Sequence, residues 1–171
     1  MRSHALVLVT ALAATAVISA CGSDKPTGPT VTTFNAALAS TNERNADGTP
    51  KTINSTATGT AVFTLTGNTM AFTITVANLT GAATASHIHV GNANQNGAVV
   101  VPFAITTGVS SGTLVTGSFD ITTNPVSGTG LGTATISGDS LMKLINTGNA
   151  YVNVHTAANG AGEMRGQLVH Q

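Results

Sequence analysis

Period-two alternation narrows the folds open to this chain more than any other feature. Ala61, Phe63 and Leu65 alternate with Val62, Thr64 and Thr66. The turn pair Gly67-Asn68 follows, and Met70, Phe72, Ile74 and Val76 then alternate with Ala71, Thr73 and Thr75. Successive side chains of a strand point to opposite sides of the sheet, so this stretch predicts an antiparallel hairpin with one buried face. A helix would scatter the same apolar residues around its circumference. Further strands are predicted near Thr33–Ala39, Ser86–Val90, Ala98–Phe103, Leu114–Ile121, Tyr151–Thr156 and Gly162–Val169, with turn formers between them. Short strands so spaced predict an all-β antiparallel sandwich. One segment departs from the pattern. In Asp139–Thr147, Leu141, Met142, Leu144 and Ile145 fall at helical spacing, with Asp139 or Ser140 as N-cap and Gly148 as a stop. A short helix over 139–147 is expected to close one end of the sandwich.

The N-terminal region addresses the compartment. Met1-Arg2-Ser3-His4 is short and basic, and the apolar run Ala5–Ala16 is shorter than a membrane span requires. Ile18-Ser19-Ala20-Cys21-Gly22 resembles a bacterial lipobox, in which cleavage makes Cys21 the lipidated N-terminus of the mature protein. The expected organisation is a lipoprotein signal peptide over 1–20, a flexible Pro/Gly/Thr tether over 21–32 and one β domain over 33–171. Lipid chains on Cys21 would tie the protein to a bacterial membrane without a spanning helix, facing periplasm or exterior. Gly22 after the cysteine is compatible with outer-membrane sorting.

Charge excludes some partners. The chain has six basic and six acidic residues, and removal of the leader takes only Arg2 from that balance, leaving −1. There is no basic face for nucleic acid. Cys21 is the only cysteine, so no intrachain disulfide forms and the core must supply the stability.

In so uncharged a chain the polar strand residues stand out. By parity, His87 and His89 share a face opposite Ile88 and Val90. Tyr151, Asn153 and His155 share one opposite Val152 and Val154, and Glu163, Arg165 and Gln167 share one opposite Met164 and Leu168. The loop Ala157-Ala158-Asn159-Gly160-Ala161 has hairpin length, so the last two strands are expected to pair.

The segments "SHIHVGNANQNGAVVVPF" and "GNAYVNVHTAANGAGEMRGQL" resemble the CHRD domain, the module repeated in chordin and found singly in bacterial secreted proteins. "FNAALASTNE", from Phe34 to Glu43, and Gly59 at the head of the hairpin resemble the start of that family. The resemblance spans residues 32 to 170. Two loops depart from it: "RNADGTP" after Glu43, where the family often has Val-Pro-Pro, and Val-Gly-Asn-Ala after His-Ile-His, where it often has Gly-Pro-Ala. The resemblance implies an extracellular all-β module, Ig-like or Cu,Zn-superoxide-dismutase-like in its Greek-key strand order, with no firmly assigned catalytic activity.

The polar cluster reads in three ways. As a structural network, Glu163 and Arg165 bond the imidazoles, Asn153 and nearby backbone. As a metal centre, His87, His89 and His155 hold Zn²⁺ or Cu²⁺, with Glu163 as a fourth ligand or an outer acceptor. As an enzyme, the His-x-His strand and the late "NGAGEMR" faintly resemble Cu,Zn superoxide dismutase, but the histidine set is short of that family's. The expectation is a non-enzymatic binding or structural module at the cell envelope. Its partner is a protein, a cell-wall component or an ion, with transition-metal binding as the alternative. His170, near the C-terminus, reads as a solvated tail residue.

Overall fold

The computed structural model describes residues 28–171, so the leader, Cys21 and most of the tether lie outside the described residues. Among the described residues ten strands form one antiparallel sheet: β1 (Val31–Ala39), β2 (Thr58–Thr66), β3 (Thr69–Ala77), β4 (Ala83–Val90), β5 (Val99–Pro102), β6 (Gly112–Asp120), β7 (Gly128–Thr129), β8 (Ala150–Thr156), β9 (Met164–Gln167) and β10 (Val169–His170). Their order is β5-β4-β8-β9-β1-β2-β3-β6-β7, with β10 also pairing with β1. The sheet curls until its two ends meet. Phe103, just past β5, bridges Leu131, just past β7. Ala104 N–H donates to the Gly130 carbonyl and Gly132 N–H to that of Pro102, both at 2.9 Å. The halves thus face each other across one core in a sandwich-like arrangement.

The alternation of the first hairpin explains that core. Phe63 opposite Phe72 is a cross-strand pair, and their rings stack at 5.6 Å between centroids. Phe103, from the far end of the sheet, meets Phe72 at 5.1 Å, so three aromatics join the two halves. Such contacts contribute about 0.5–1.5 kcal/mol each beyond simple burial. Met70, Ile74 and Val76 of β3 are buried with them.

The helix α1 (Gly138–Asn146) buries Leu141 and Ile145 and packs against β8 and β10. Its N-cap is Ser137, whose Oγ accepts from Ser140 N–H at 3.3 Å. The cap therefore lies ahead of the expected Asp139 or Ser140, because the helix starts one residue earlier and Asp139 falls within its first turn. Gly148 N–H donates to the Ile145 carbonyl as the helix ends. No helix among the described residues is long and apolar enough to cross a membrane.

Candidate metal centre

The register of β4 and β8 carries out what parity predicts. His87 lies opposite Asn153, His89 opposite Tyr151, and Ala85 opposite His155. These side chains share the outer face of the sheet, while Ile88, Val152 and Val154 fill the core on the other. His87, His89 and His155 each offer one ring nitrogen, and those atoms all lie within 4.8 Å of one another. All three rings are half-buried.

Backbone carbonyls orient two of the rings. His89 Nδ1 lies 2.9 Å from the Gly97 carbonyl, and His155 Nδ1 lies 3.1 Å from that of Gly160. A carbonyl only accepts, so both Nδ1 atoms carry the proton and both Nε2 atoms keep a lone pair. His155 Nε2 stands 3.2 Å from His87 Nδ1, while His89 Nε2 is buried with no partner. The loops that supply these carbonyls are held close. A Cβ on Gly97 would overlap the Val90 carbonyl, so only glycine lets that loop lie against β4.

Behind His89 stands a stack. The Tyr151 ring is nearly parallel to that of His89, at 12° and 5.0 Å, and the Arg165 guanidinium sits 3.5 Å from the Tyr151 centroid. Arg165 is buried. Its Nη1 donates to the Gln95 carbonyl (3.1 Å) and to Asn96 Oδ1 (2.9 Å), and its Nη2 to the Asn92 carbonyl (3.1 Å). Arg165 is therefore an internal pillar under the 91–97 loop, the loop that carries Gly97. Asn153 Nδ2 donates at 2.8 Å to the buried Glu43 carboxylate. Gly162, at φ +117°, leaves room for that pair, since a Cβ there would lie 2.8 Å from both. Gln167 shares the face as expected, donating from Nε2 to the carbonyls of Gly91 (2.8 Å) and Ala150 (2.9 Å).

Glu163 does not join the histidines. Ser55 Oγ (2.6 Å) and Thr80 N–H (2.8 Å) donate to its Oε1; Thr80 Oγ1 (2.6 Å), Thr156 Oγ1 (2.5 Å) and Asn159 Nδ2 (3.2 Å) donate to its Oε2. The expected fourth ligand or outer acceptor is thus a saturated carboxylate facing other partners. Parity fails there because β9 begins only at Met164 and the positive φ of Gly162 turns the chain immediately before Glu163. Arg165 likewise reaches the histidines only through the Tyr151 ring.

Glu43 is the functional-region residue that parity missed. It follows a short 3₁₀ turn, Ser40–Asn42, and comes to Asn153 from far along the chain. The available signal was its place as the first charged residue after the uncharged run 26–42.

The electrostatics keep the three rings neutral. Burial, followed by repulsion from the His155 and His89 rings when charged, pushes His87 down to about 4. Burial also lowers His89 against the opposing Gly97 bond, with the charges of His155 and Arg165 adding to the fall. His155 is lowered by burial against its Gly160 bond, with the Lys51 charge adding to the fall. Burial alone would raise Glu163, but bonds from Ser55, Thr156 and Thr80 outweigh it and hold that carboxyl at about 2. Burial raises Glu43, only partly offset by Asn153 and Arg165. At neutral pH the site therefore presents three uncharged imidazoles, with His87 Nδ1–H donating to the His155 Nε2 lone pair, and neutral imidazole is the form in which histidine binds metal once that shared proton is released. Two imidazole nitrogens bound at ~2.0–2.1 Å in tetrahedral geometry stand ~3.4 Å apart, close to the His87–His155 spacing.

A family model described as CHRD domain matches residues 34–168. No curated protein and no solved structure matches the chain.

Proposed function

The chain belongs to the CHRD domain family, and on that premise we propose that it is an extracytoplasmic binding module whose working centre is a mononuclear transition-metal site formed by His87, His89 and His155. One observation carries the reading: the His89 Nε2 lone pair is buried and unpartnered, in a ring that offers a nitrogen within 4.8 Å of those of the other two. A buried polar atom left without a partner costs about 1–3 kcal/mol. A bound Zn²⁺ or Cu²⁺ satisfies it together with the other two nitrogens, and the Gly97 and Gly160 carbonyls serve as the outer partners that fix the ligating tautomers. Three protein ligands leave one position open, as in zinc sites that bind exogenous groups.

The remaining polar residues support a scaffold. Arg165, Asn153 and Glu43 hold the 91–97 loop and the chain around Glu43 against the outer face of β8 and β9. The proposed role is binding rather than turnover. The lipobox-like Ile18–Gly22 supports a location at the cell envelope with a tether through Cys21, and the proposed macromolecular partner is a protein or cell-wall component.

Elemental analysis of the mature protein purified from its own cells tests the centre. One equivalent of zinc or copper is expected, and it should be lost from the His89→Ala protein. Native protein free of transition metal that also fails to take up zinc or copper on titration contradicts it.

A further inference from the structure

The donor set leaves a charge imbalance. Three neutral imidazoles bring no negative charge to a divalent cation, and each described acid of the chain is occupied elsewhere. Glu43 accepts from Asn153. Asp47 accepts from the Thr49 N–H and hydroxyl, and Asp120 from those of Thr122. Asp139 lies in the first turn of α1, and Glu163 holds five donors. No carboxylate oxygen joins the three nitrogens within the 4.8 Å that groups them.

The surroundings add positive charge. Arg165 stands behind His89 through the Tyr151 ring with no carboxylate in contact, its donors being spent on neutral oxygens. Lys51 is close enough for its charge to be felt at His155. The Glu43 carboxylate is near enough for its charge to be felt at both cations, which leaves them in excess by one; a divalent ion there would sit half-desolvated beside that excess, and charges in such sites are screened far less than in water.

Resting on the metal reading above, we propose that the open position takes a small anion from solution, and that the centre is an anion-binding site as well as a metal site. The three rings supply the coordination, and the absence of a protein carboxylate reserves the fourth place for a negatively charged ligand of a few atoms. Val99, opposite His89 on β5 and 39% exposed, and the partly exposed Pro102, opposite His87, form a short apolar rim on that side. Neither offers a competing ligand.

Cobalt(II) is the probe metal, because its visible bands report coordination directly. The mature protein is loaded with one equivalent and titrated at fixed ionic strength with sodium azide and, separately, with neutral imidazole. Azide is expected to change the bands saturably and at a concentration at least tenfold below that needed for imidazole. Cobalt bands that azide leaves unchanged, or that imidazole shifts as readily as azide, overturn the anion site while leaving the metal centre standing. A cobalt-dependent dimer whose bands ignore azide also overturns it, because a side chain of a second copy then fills the position. If cobalt gives no protein-bound bands at all, it is the metal centre itself that fails, and the anion site falls with it.

Discussion

The β8–β9 hairpin carries two polar clusters with opposite bonding. Around Glu163 every lone pair is engaged by a hydroxyl, a backbone N–H or an amide, and the carboxylate is fully buried. Around His155 the rings are half-buried, two are fixed by loop carbonyls, and one buried ring nitrogen has no partner. The first cluster is complete without a ligand and works as a staple, tying Ser55 and Thr80 to the end of β8. The second leaves a ring nitrogen open, and the proposed metal centre uses it. Counting satisfied atoms separates the two, although both are built from residues that sequence patterning groups together.

Exchanging the two clusters' roles by mutation is the strongest way to break this contrast. Glu163→Ala should lower unfolding stability by about 2 kcal/mol or more, since it strands the buried Thr156 hydroxyl and unties Ser55 and Thr80. If that variant folds, its zinc affinity should stay within a few-fold of the native value. Denaturant titration and zinc competition check the pair, and the contrast fails if zinc affinity falls as steeply as stability. In reverse, His155→Ala should weaken zinc binding by about 100-fold or more, equivalent to about 2.7 kcal/mol, while metal-free stability changes by no more than about 1 kcal/mol. A large loss of metal-free stability would move the histidines into the staple class.

A smaller effect is expected behind the site. Tyr151→Leu removes the ring between Arg165 and His89, a contact worth about 0.5–1.5 kcal/mol. It should lower zinc affinity by less than tenfold and alter the spectrum of a bound cobalt ion, since the His89 plane loses its support.

Acid should separate the clusters by pH rather than by size. His87 has a folded pKa of about 4 against an ordinary value of 6.5, so between those values the unfolded chain binds more protons. Stability contributed by the neutral ring is thus full above about 6.5 and is lost as pH falls toward 4. Glu163, at about 2 against 4.5, contributes stability that is full above 4.5 and lost only below it. Thermal melts of the metal-free protein should show a decline beginning near pH 6.5 and a second below 4.5. In the His87→Gln variant the first decline should shrink and the second persist.

Parity made much of this legible. The hairpin of β2 and β3, the common face of His87, His89 and His155, and the position of Arg165 beside Asn153 all follow from period two within regular strands. It stopped working one residue outside a strand, at Glu163, where Gly162 redirects the chain. The tautomer-fixing groups are backbone carbonyls of Gly97 and Gly160, which leave no side-chain signature. Glu43 was hidden for a different reason: its partner Asn153 is distant in sequence, and no local pattern links them. The continuity of the sheet, closed by the Phe103–Leu131 bridge, also depends on contacts between its far ends.

X-ray absorption at the zinc edge of the stoichiometrically loaded protein tests the central claim most directly. Three imidazole nitrogens at ~2.0–2.1 Å and one further light ligand are predicted. A shell of oxygens with one imidazole or none would contradict the account, because zinc would then be held somewhere other than between β4 and β8.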